Sequence, residues 1–217
     1  HIVKLDPAAV ELVDRTMIDL SRDIPMFRAT VDKFVMGEPQ ALLLVEFAGE
    51  DRDDCIRRLK QLGELLADHG YPDAVLEATD PAFATEIWEV RKQGLNIMMS
   101  MKGDGKPVSF IEDCAVPLED LAEYTDRLTQ VFHKHGTDGT WYAHASVGTL
   151  HVRPVLDMRK SGDVTAMRAI AEEAFSMVRE YKGSHSGEHG DGLVRSEFHE
   201  AMFGAPMVDT FKQVKQS

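Results

Sequence analysis

Two kinds of hydrophobic pattern alternate along the chain. In one, apolar residues recur every three or four positions, which is typical of a helix that packs on one side. In the other, apolar or β-branched residues follow one another, which is typical of a buried strand. The helical pattern covers residues 7–20, 51–69, 118–135 and 162–181, a segment that starts at residue 81, and a last stretch around residues 198–203. The strand pattern covers residues 41–47, 74–78 and 108–116 and both arms of a hairpin between residues 139 and 156.

The order of these elements predicts an α+β fold in which helices pack on one face of an antiparallel sheet. Capping residues mark several helix ends. Asp6 is a predicted N-cap, Thr79 or Asp80 is another, and Gly70 and Gly136 follow helix C-termini. Residues 21–39 contain two prolines and a Gly-Glu-Pro triplet, and we expect this segment to be irregular.

The predicted hairpin carries two histidines. Residues 142–153 read Tyr-Ala-His-Ala-Ser-Val-Gly-Thr-Leu-His-Val-Arg, and a two-residue turn at Val147 and Gly148 would pair His144 directly with His151. Directly opposed residues of an antiparallel pair have Cβ atoms about 4.5–5.5 Å apart on one face. Two imidazoles held in this way form half of a metal site. The alternative is a pair of half-buried histidines whose ring nitrogens are satisfied by backbone carbonyls.

A glycine-rich stretch at residues 186–192 reads Ser-Gly-Glu-His-Gly-Asp-Gly. Its glycines allow a positive φ or a close approach of the backbone to another group. Because adjacent residues of an extended chain point to opposite faces, we expect Glu188 and His189 to differ in role, one as a metal ligand and one as an acid or base. Two histidines and a glutamate are a known ligand set of a catalytic zinc ion. A flexible loop with solvated charges is the alternative.

The two motifs together resemble those of a flavoenzyme family, the FAD-linked oxidases related to D-lactate, glycolate and D-2-hydroxyglutarate dehydrogenases. The C-terminal domain of that family reads His-x-Gly-Asp-Gly-Asn-Leu-His and then Ser-Gly-Glu-His-Gly. This chain reads His-Ala-Ser-Val-Gly-Thr-Leu-His and then Ser-Gly-Glu-His-Gly, so both histidines are kept but the first glycine, the aspartate and the asparagine are lost. Its Leu-His-Val-Arg-Pro and Glu-Asp-Cys-Ala-Val-Pro segments are similar to long members that are fused to an iron–sulfur domain.

The resemblance extends from about residue 7 to about residue 215 and implies a fold and a set of cofactors. The corresponding domain of the family is a ferredoxin-like α+β cap beside a separate FAD-binding domain. We therefore expect residues 1–217 to be the substrate- and metal-binding cap of a longer flavoprotein, in which an upstream domain holds most of the FAD. Neither Cys55 nor Cys114 belongs to a Cys-x-x-Cys motif, so we expect an iron–sulfur cluster only elsewhere in the parent protein.

The same resemblance implies a division of roles at the site. A divalent metal ion, with zinc as the first choice, would be held by His144, His151 and Glu188. His189 would act as the general base that takes the hydroxyl proton of a D-2-hydroxy acid. FAD would accept a hydride from the same carbon, which yields the 2-keto acid.

Two arginines are candidates for binding the substrate carboxylate. Arg91 stands at the arginine of a Trp-x-x-Arg sequence that matches the family, and a surface arginine paired with Glu89 or Asp80 is the alternative. Arg153 follows His151 by two residues and shares its face if the strand is regular. A guanidinium can hold a carboxylate through two parallel hydrogen bonds.

Composition limits the classes of protein that fit. The chain has 217 residues, 43% of them hydrophobic, and a formal net charge of −13, which argues against binding nucleic acid or an anionic membrane surface. No stretch approaches the roughly 20 apolar residues of a membrane span, no signal peptide is visible, and the chain opens without methionine. We expect a piece of a cytoplasmic protein, with peripheral association at the inner face of the membrane left open.

Two other functions remain open at this point. A metal-dependent hydrolase could use the same two histidines and glutamate, although the chain lacks His-Glu-x-x-His. A non-enzymatic ferredoxin-like binding module would not need the two motifs to meet. The expected partners are a small 2-hydroxy acid and the FAD-binding domain of the same chain. Of the other histidines, His185 is expected to point away from the site, and no role is assigned to His133, His135 and His199.

Overall fold

A computed structural model describes residues 1–217 and divides them into two compact units, residues 1–101 and 102–217. In the first unit, strand β1 (Ala9–Asp14) pairs antiparallel with strand β2 (Ala41–Glu46). Its helices are α1 (Arg15–Asp23), α2 (Pro25–Phe34), α3 (Arg52–Asp68), α4 (Pro81–Lys92) and α5 (Gly94–Met99). Its buried core is made of Met17, Ile18, Val31, Val35, Val90, Ile97 and Met98.

The first predicted helix is wrong in its first half. Residues 9–14 form β1, and α1 begins only at Arg15. The N-cap is Asp14 and not Asp6, because the Asp14 carboxylate accepts a hydrogen bond of 2.9 Å from the N–H of Met17. The valines and the leucine of residues 9–14 fit a short strand as well as a helical turn, and pairing with β2 decides between them.

Two neighbouring predictions also differ from the structure. Residues 21–39 are not irregular, since they contain the end of α1 and the whole of α2. Pro25 is the first residue of α2, where its fixed φ and missing N–H suit a helix start. Residues 74–78 do not form a strand. The helices predicted at residues 51 and 81 are confirmed, with Asp51 and Asp80 as their N-caps.

The second unit contains short strands and five helices. The strands are β3 (Lys106–Pro107), β4 (Cys114–Ala115), β5 (Gly139–Thr140), β6 (Tyr142–His144), β7 (Thr149–Leu150) and β8 (Arg153–Leu156). They pair antiparallel in the orders β4–β7–β6 and β3–β8–β5. The helices are α6 (Leu121–Lys134), α7 (Ser161–Glu180), α8 (Gly192–Arg195), α9 (His199–Phe203) and α10 (Ala205–Gln216). Single 3₁₀ turns are found at Ile2–Leu5, Leu118–Asp120 and Ser196–Phe198.

The core of the second unit lies where α6 packs against α7. On each helix the fully buried residues recur every four positions, which places them on one face. The fully buried residues of these stripes are Tyr124, Leu128 and Phe132 on α6 and Ile170, Ala174 and Val178 on α7.

The strand predicted over residues 108–116 is mostly absent. Only Cys114–Ala115 pairs with β7, because the chain turns at Glu112 and Asp113 immediately before it. Both carboxylates are buried, Glu112 at 5% and Asp113 at 0% exposure. The turn therefore brings two acidic side chains into the interior instead of extending the sheet.

The predicted α+β class with antiparallel strand pairing is confirmed. Cys55 and Cys114 are both free thiols. None of the helices is both long and apolar enough to cross a membrane.

Candidate functional site

The hairpin of β6 and β7 differs from its prediction in register. Its turn has four residues, 145–148, and His144 lies opposite Thr149 rather than opposite His151. Gly148 sets this turn, because it has a φ of +75° and a Cβ there would lie 2.1 Å from the carbonyl oxygen of Val116. The N–H of Val116 in turn donates to the carbonyl of Gly148 at 3.0 Å. The partner of His144 thus shifts by two residues, which leaves both histidines on one face.

The imidazoles of His144 and His151 are neighbours on that face. Their ring centroids lie 4.9 Å apart at 88°, and the ring of Tyr142 stacks on His151 at 5.4 Å. Nδ1 of the buried His151 lies 2.8 Å from the carbonyl oxygen of Glu112. A carbonyl only accepts, so Nδ1 carries a proton and donates, and in the neutral imidazole the lone pair is then on Nε2. This is how a protein prepares a histidine to bind a metal through Nε2.

The glycine-rich loop brings Glu188 to the two histidines. Its Oε1 lies 2.8 Å from Nε2 of His151 and 3.2 Å from Nε2 of His144. His189 enters the same cluster, with Nε2 3.5 Å from Oε1 of Glu188 and a ring stacked on His151 at 4.7 Å. The expectation that Glu188 and His189 point to opposite faces is wrong, because the loop bends here and is not extended. The two motifs that the sequence singled out do meet.

Asp113 holds the glycine-rich loop in position through hydrogen bonds. Its carboxylate accepts hydrogen bonds from the Ser186 hydroxyl at 2.9 Å, from the N–H of Glu188 at 3.1 Å and from the N–H of His189 at 2.8 Å. Its backbone carbonyl accepts the N–H of Gly187 at 2.7 Å. A Cβ at Gly187 would approach Thr149 to 3.2 Å, so the glycine lets the loop backbone lie against β7.

Glu112 connects the base candidate to two arginines. Its carboxylate lies 3.1 Å from Nδ1 of His189, 3.3 Å from Nη1 of Arg195 and 3.7 Å from Nη2 of Arg153. Arg195, itself buried, also donates to the carbonyl of Gly190. Burial alone raises the pKa of Glu112, but the hydrogen bonds of His189 and Arg195 and the charge of Arg153 outweigh it and lower that pKa below its usual value. The carboxylate is therefore an anion that faces Nδ1 of His189.

The donor set fits a divalent metal ion. Ligand atoms about 2.1 Å from a tetrahedral zinc ion stand about 3.4 Å from one another, and the separations of 2.8 and 3.2 Å around Oε1 of Glu188 are close to that. One donor atom each of Asp113, His151, Glu188 and His189 also lies within 4.8 Å of the other three. The Asp113 carboxylate already accepts three hydrogen bonds, so it positions the loop and is the weaker ligand candidate. Zinc, manganese and iron all suit such nitrogen and oxygen donors.

The two candidate arginines have different surroundings. Arg153, the first residue of β8, lies at the edge of the cluster beside Glu112. Arg91 belongs to α4 in the first unit, where its Nη2 lies 2.6 Å from Oε2 of the buried Glu11. Arg91 thus forms an ion pair with Glu11, whereas Glu89 forms one with Lys92.

Sequence reasoning missed three residues of the site, namely Glu112, Asp113 and Arg195. A signal for the first two was present, because residues 110–116 place two adjacent carboxylates inside an apolar run. Charged residues are almost never fully buried without a partner, so that pair pointed to an internal network. Arg195 gave no comparable signal. His185 is fully buried, and its ring lies 5.2 Å from that of Phe175.

Fold and site define an α+β domain whose hairpin and glycine-rich loop bring histidines and a glutamate together. A sequence model of the family described as FAD linked oxidases, C-terminal domain, matches residues 2–217. The chain belongs to this family.

Curated relatives agree with this assignment. D-2-hydroxyglutarate dehydrogenase of Pantoea ananatis is 31% identical over 99% of this chain, and that of Escherichia coli is 30% identical over 99%. Glycolate oxidase subunit GlcD of Bacillus subtilis is 24% identical over 98%. The chain spans 22% of the length of the first two relatives and 43% of the third. Among solved structures, 4-ethylphenol oxidase from Gulosibacter chungangensis, in complex with isoeugenol, has the same fold, with a TM-score of 0.61 at 10% identity over 95% of this chain and 44% of that chain.

Proposed function

We propose that this chain is the substrate- and metal-binding domain of a flavin-dependent oxidoreductase that oxidises a D-2-hydroxy acid to the 2-keto acid. The observation that carries the proposal is the convergence of His144, His151 and Glu188, with His189 beside them and held by Glu112. The names of the relatives, D-2-hydroxyglutarate dehydrogenase and glycolate oxidase subunit, support the same class of substrate.

The proposal includes a longer parent protein. The relatives are between two and five times as long as the segment they share with this chain, which supports an additional FAD-binding domain placed upstream. That domain would hold most of the FAD, and an iron–sulfur cluster would belong to the parent protein alone. A cytoplasmic location and a small hydroxy acid as partner are parts of the same proposal.

His144, His151 and Glu188 would hold the divalent metal ion. When bound, the ion supplies Lewis acidity toward the hydroxyl and carboxylate oxygens of the substrate. Two features of the chain prepare the ligands. His151 presents the lone pair of Nε2 because its Nδ1 donates to Glu112, and Glu188 is fixed through its backbone N–H by Asp113.

His189 is the proposed general base. Nδ1 lies 3.1 Å from the Glu112 carboxylate, so Nδ1–H donates to that anion, and in the neutral imidazole the lone pair on Nε2 is the one that accepts a proton. The hydroxyl proton passes to Nε2, and the resulting imidazolium is stabilised by the charge of Glu112. FAD, when bound by the parent protein, would supply the acceptor for the hydride of the same carbon. The side chain of His189 is 44% exposed, so a substrate can reach it.

Arg91 is the first candidate for binding the substrate carboxylate, and Arg153 is the second. Arg153 supports the role by its position beside Glu112, with a side chain that is 17% exposed and an Nε that makes no hydrogen bond. For Arg91 the support is the Trp-x-x-Arg resemblance, although its guanidinium also donates a hydrogen bond to Glu11. Both roles rest on the capacity of a guanidinium to grip a carboxylate in two places.

The deciding experiment uses the full-length parent protein with its FAD. Flavin reduction by D-2-hydroxy acids is followed by stopped-flow absorbance, in the wild type, in H189N and in the control H133N, whose histidine is exposed. We expect H189N to slow flavin reduction by about 10²–10⁴-fold with its metal content unchanged, and H133N to match the wild type. Flavin that no D-2-hydroxy acid reduces would refute the proposed activity. Loss of metal in H189N would show that the base and ligand roles are misassigned.

A further inference from the structure

A second cluster of potential ligands flanks the glycine-rich loop. His185 precedes the loop, Asp191 ends it just before α8, and His199 begins α9. Oδ1 of Asp191 lies 2.8 Å from Nε2 of His185, and Oδ2 lies 2.7 Å from Nε2 of His199. One carboxylate therefore stands between two imidazoles, and the three donor atoms lie within 4.8 Å of one another.

The ring nitrogens of His185 have no hydrogen-bond partner that would explain their burial. The side chain is completely buried, yet neither Nδ1 nor Nε2 makes a hydrogen bond. Nε2 is close to Oδ1 of Asp191, but the direction of the ring nitrogen misses that oxygen, so Oδ1 is also without a hydrogen bond. Buried polar groups are almost always satisfied, and those that are not call for an unseen partner. A lone pair on a ring nitrogen and an unused carboxylate oxygen are what a cation would take up.

Aromatic side chains line the buried side of the cluster. The ring of Phe175 lies 5.2 Å and that of Phe203 5.5 Å from the ring of His185, and Phe211 lies 5.7 Å from His199. These aromatic side chains cover His185, while the side chains of Asp191 and His199 stay 22% and 21% exposed, which leaves room for a water ligand. An apolar shell strengthens the attraction between a cation and its ligands and fixes the directions of the imidazoles.

We propose that His185, Asp191 and His199 form a second metal site, for a divalent transition-metal ion such as Zn²⁺. Two imidazoles and one carboxylate are a common ligand set for zinc, and a water molecule completes the coordination. The site is separate from the cluster of His151 and Glu188, and its role is structural. Since His185 and Asp191 bracket the loop and His199 belongs to α9, the ion joins the C-terminal helices to the segment that carries Glu188 and His189.

The test counts metal ions in the untagged full chain. Protein is stripped with a chelator, dialysed against Zn²⁺ and analysed by mass spectrometry of the metal. We expect two ions in the wild type, one in H199Q, one in the isosteric variant D191N, and two in the control H133Q. The double variant H144Q/H151Q should keep one. Should the first site bind no metal, the wild type and H144Q/H151Q would each hold one ion, which still supports the second site.

A spectroscopic measurement makes the result independent of whether H199Q folds. In H144Q/H151Q loaded with Co²⁺, only the second site remains, and it should show the visible absorption of cobalt bound by nitrogen and oxygen ligands. Adding D191N to that variant should abolish the absorption, while circular dichroism reports whether the fold is kept. The proposal is overturned if H199Q and D191N retain as many ions as the wild type, or if H144Q/H151Q takes up no cobalt.

Discussion

The substitution D113N tests how strongly one buried carboxylate holds the glycine-rich loop. Asn has the same size as Asp, so the change leaves no cavity and removes only charge and one acceptor atom. Three donors converge on the Asp113 carboxylate: the Ser186 hydroxyl and the backbone N–H groups of Glu188 and His189. The side chain is fully buried, which excludes water as a substitute partner.

The expected loss follows from the strength of those bonds. A hydrogen bond to a charged group contributes about 1.5–3 kcal/mol, against about 0.5–1.5 kcal/mol for a neutral pair, so each of the three bonds weakens by about 1 kcal/mol. We expect D113N to lower the free energy of unfolding by about 3 kcal/mol, which corresponds to a fall in Tm of about 6–12 °C for a chain of this size. Metal affinity should fall by about 10–100-fold, because Asp113 orients the backbone of a ligand.

Urea unfolding followed by circular dichroism measures the stability, and hydrogen exchange of the amides of residues 187–189 localises the effect. The matched control is D138N, because Asp138 is exposed at 84% of its side chain and pairs only with the exposed His133. That variant should stay within about 0.5 kcal/mol of the wild type. If D113N is as stable as D138N, or if its loop amides exchange no faster than in the wild type, then Asp113 does not hold the loop.

Three further predictions rest on separate contacts. G148A should destabilise the fold by about 3 kcal/mol through overpacking and a left-handed φ, whereas G162A, in open space on α7, should stabilise it by about 0.5–1 kcal/mol in urea unfolding. Burial raises the pKa of Cys114 to about 12, so a thiol reagent at about pH 8 should label Cys55 and leave Cys114 unmodified until the protein unfolds. Equal labelling of both thiols in the folded protein would contradict this. The pKa of Glu112 is lower in the folded state, so its charge stabilises the fold at neutral pH and this contribution is lost as the pH falls through the folded pKa. The difference in stability between the wild type and E112Q should therefore shrink as the pH falls below 4.5, the usual pKa of a glutamate, and a difference that stays constant with pH would refute the reasoning.

The sequence predicted which residues meet better than it predicted how they are held. Spacing assigned His144 and His151 to one face of a hairpin, and they lie there even though the register is wrong. The error in register did not change the face on which the histidines lie, because side chains alternate with a period of two and the pairing shifted by two positions. Turn length depends on the contact between Gly148 and Val116, which are 32 positions apart, so no local pattern could reveal it.

Long-range pairing also explains the error at the start of the chain. Residues 9–14 have both helical and strand character, and only their partner β2, some thirty residues later, selects the strand. Where the signal was local, as in the Asp80 cap or the buried stripes of α6 and α7, the prediction agreed with the structure. Periodicity and caps therefore predict single elements, while register and strand choice need the partner.

The turn at Glu112 and Asp113 shows why the missed residues belong to the site and not merely to its surroundings. In a continuous strand the carboxylates of Glu112 and Asp113 would point to opposite faces, so only one of them could contact the glycine-rich loop. The turn lets Asp113 accept the N–H groups of the loop while Glu112 accepts Nδ1 of His189. The loop has no regular structure of its own to satisfy these groups, so an apolar strand here would leave buried donors unpaired. The geometry of Glu188 and His189 thus depends on a segment about 75 residues earlier in the chain that has no regular secondary structure at its decisive point.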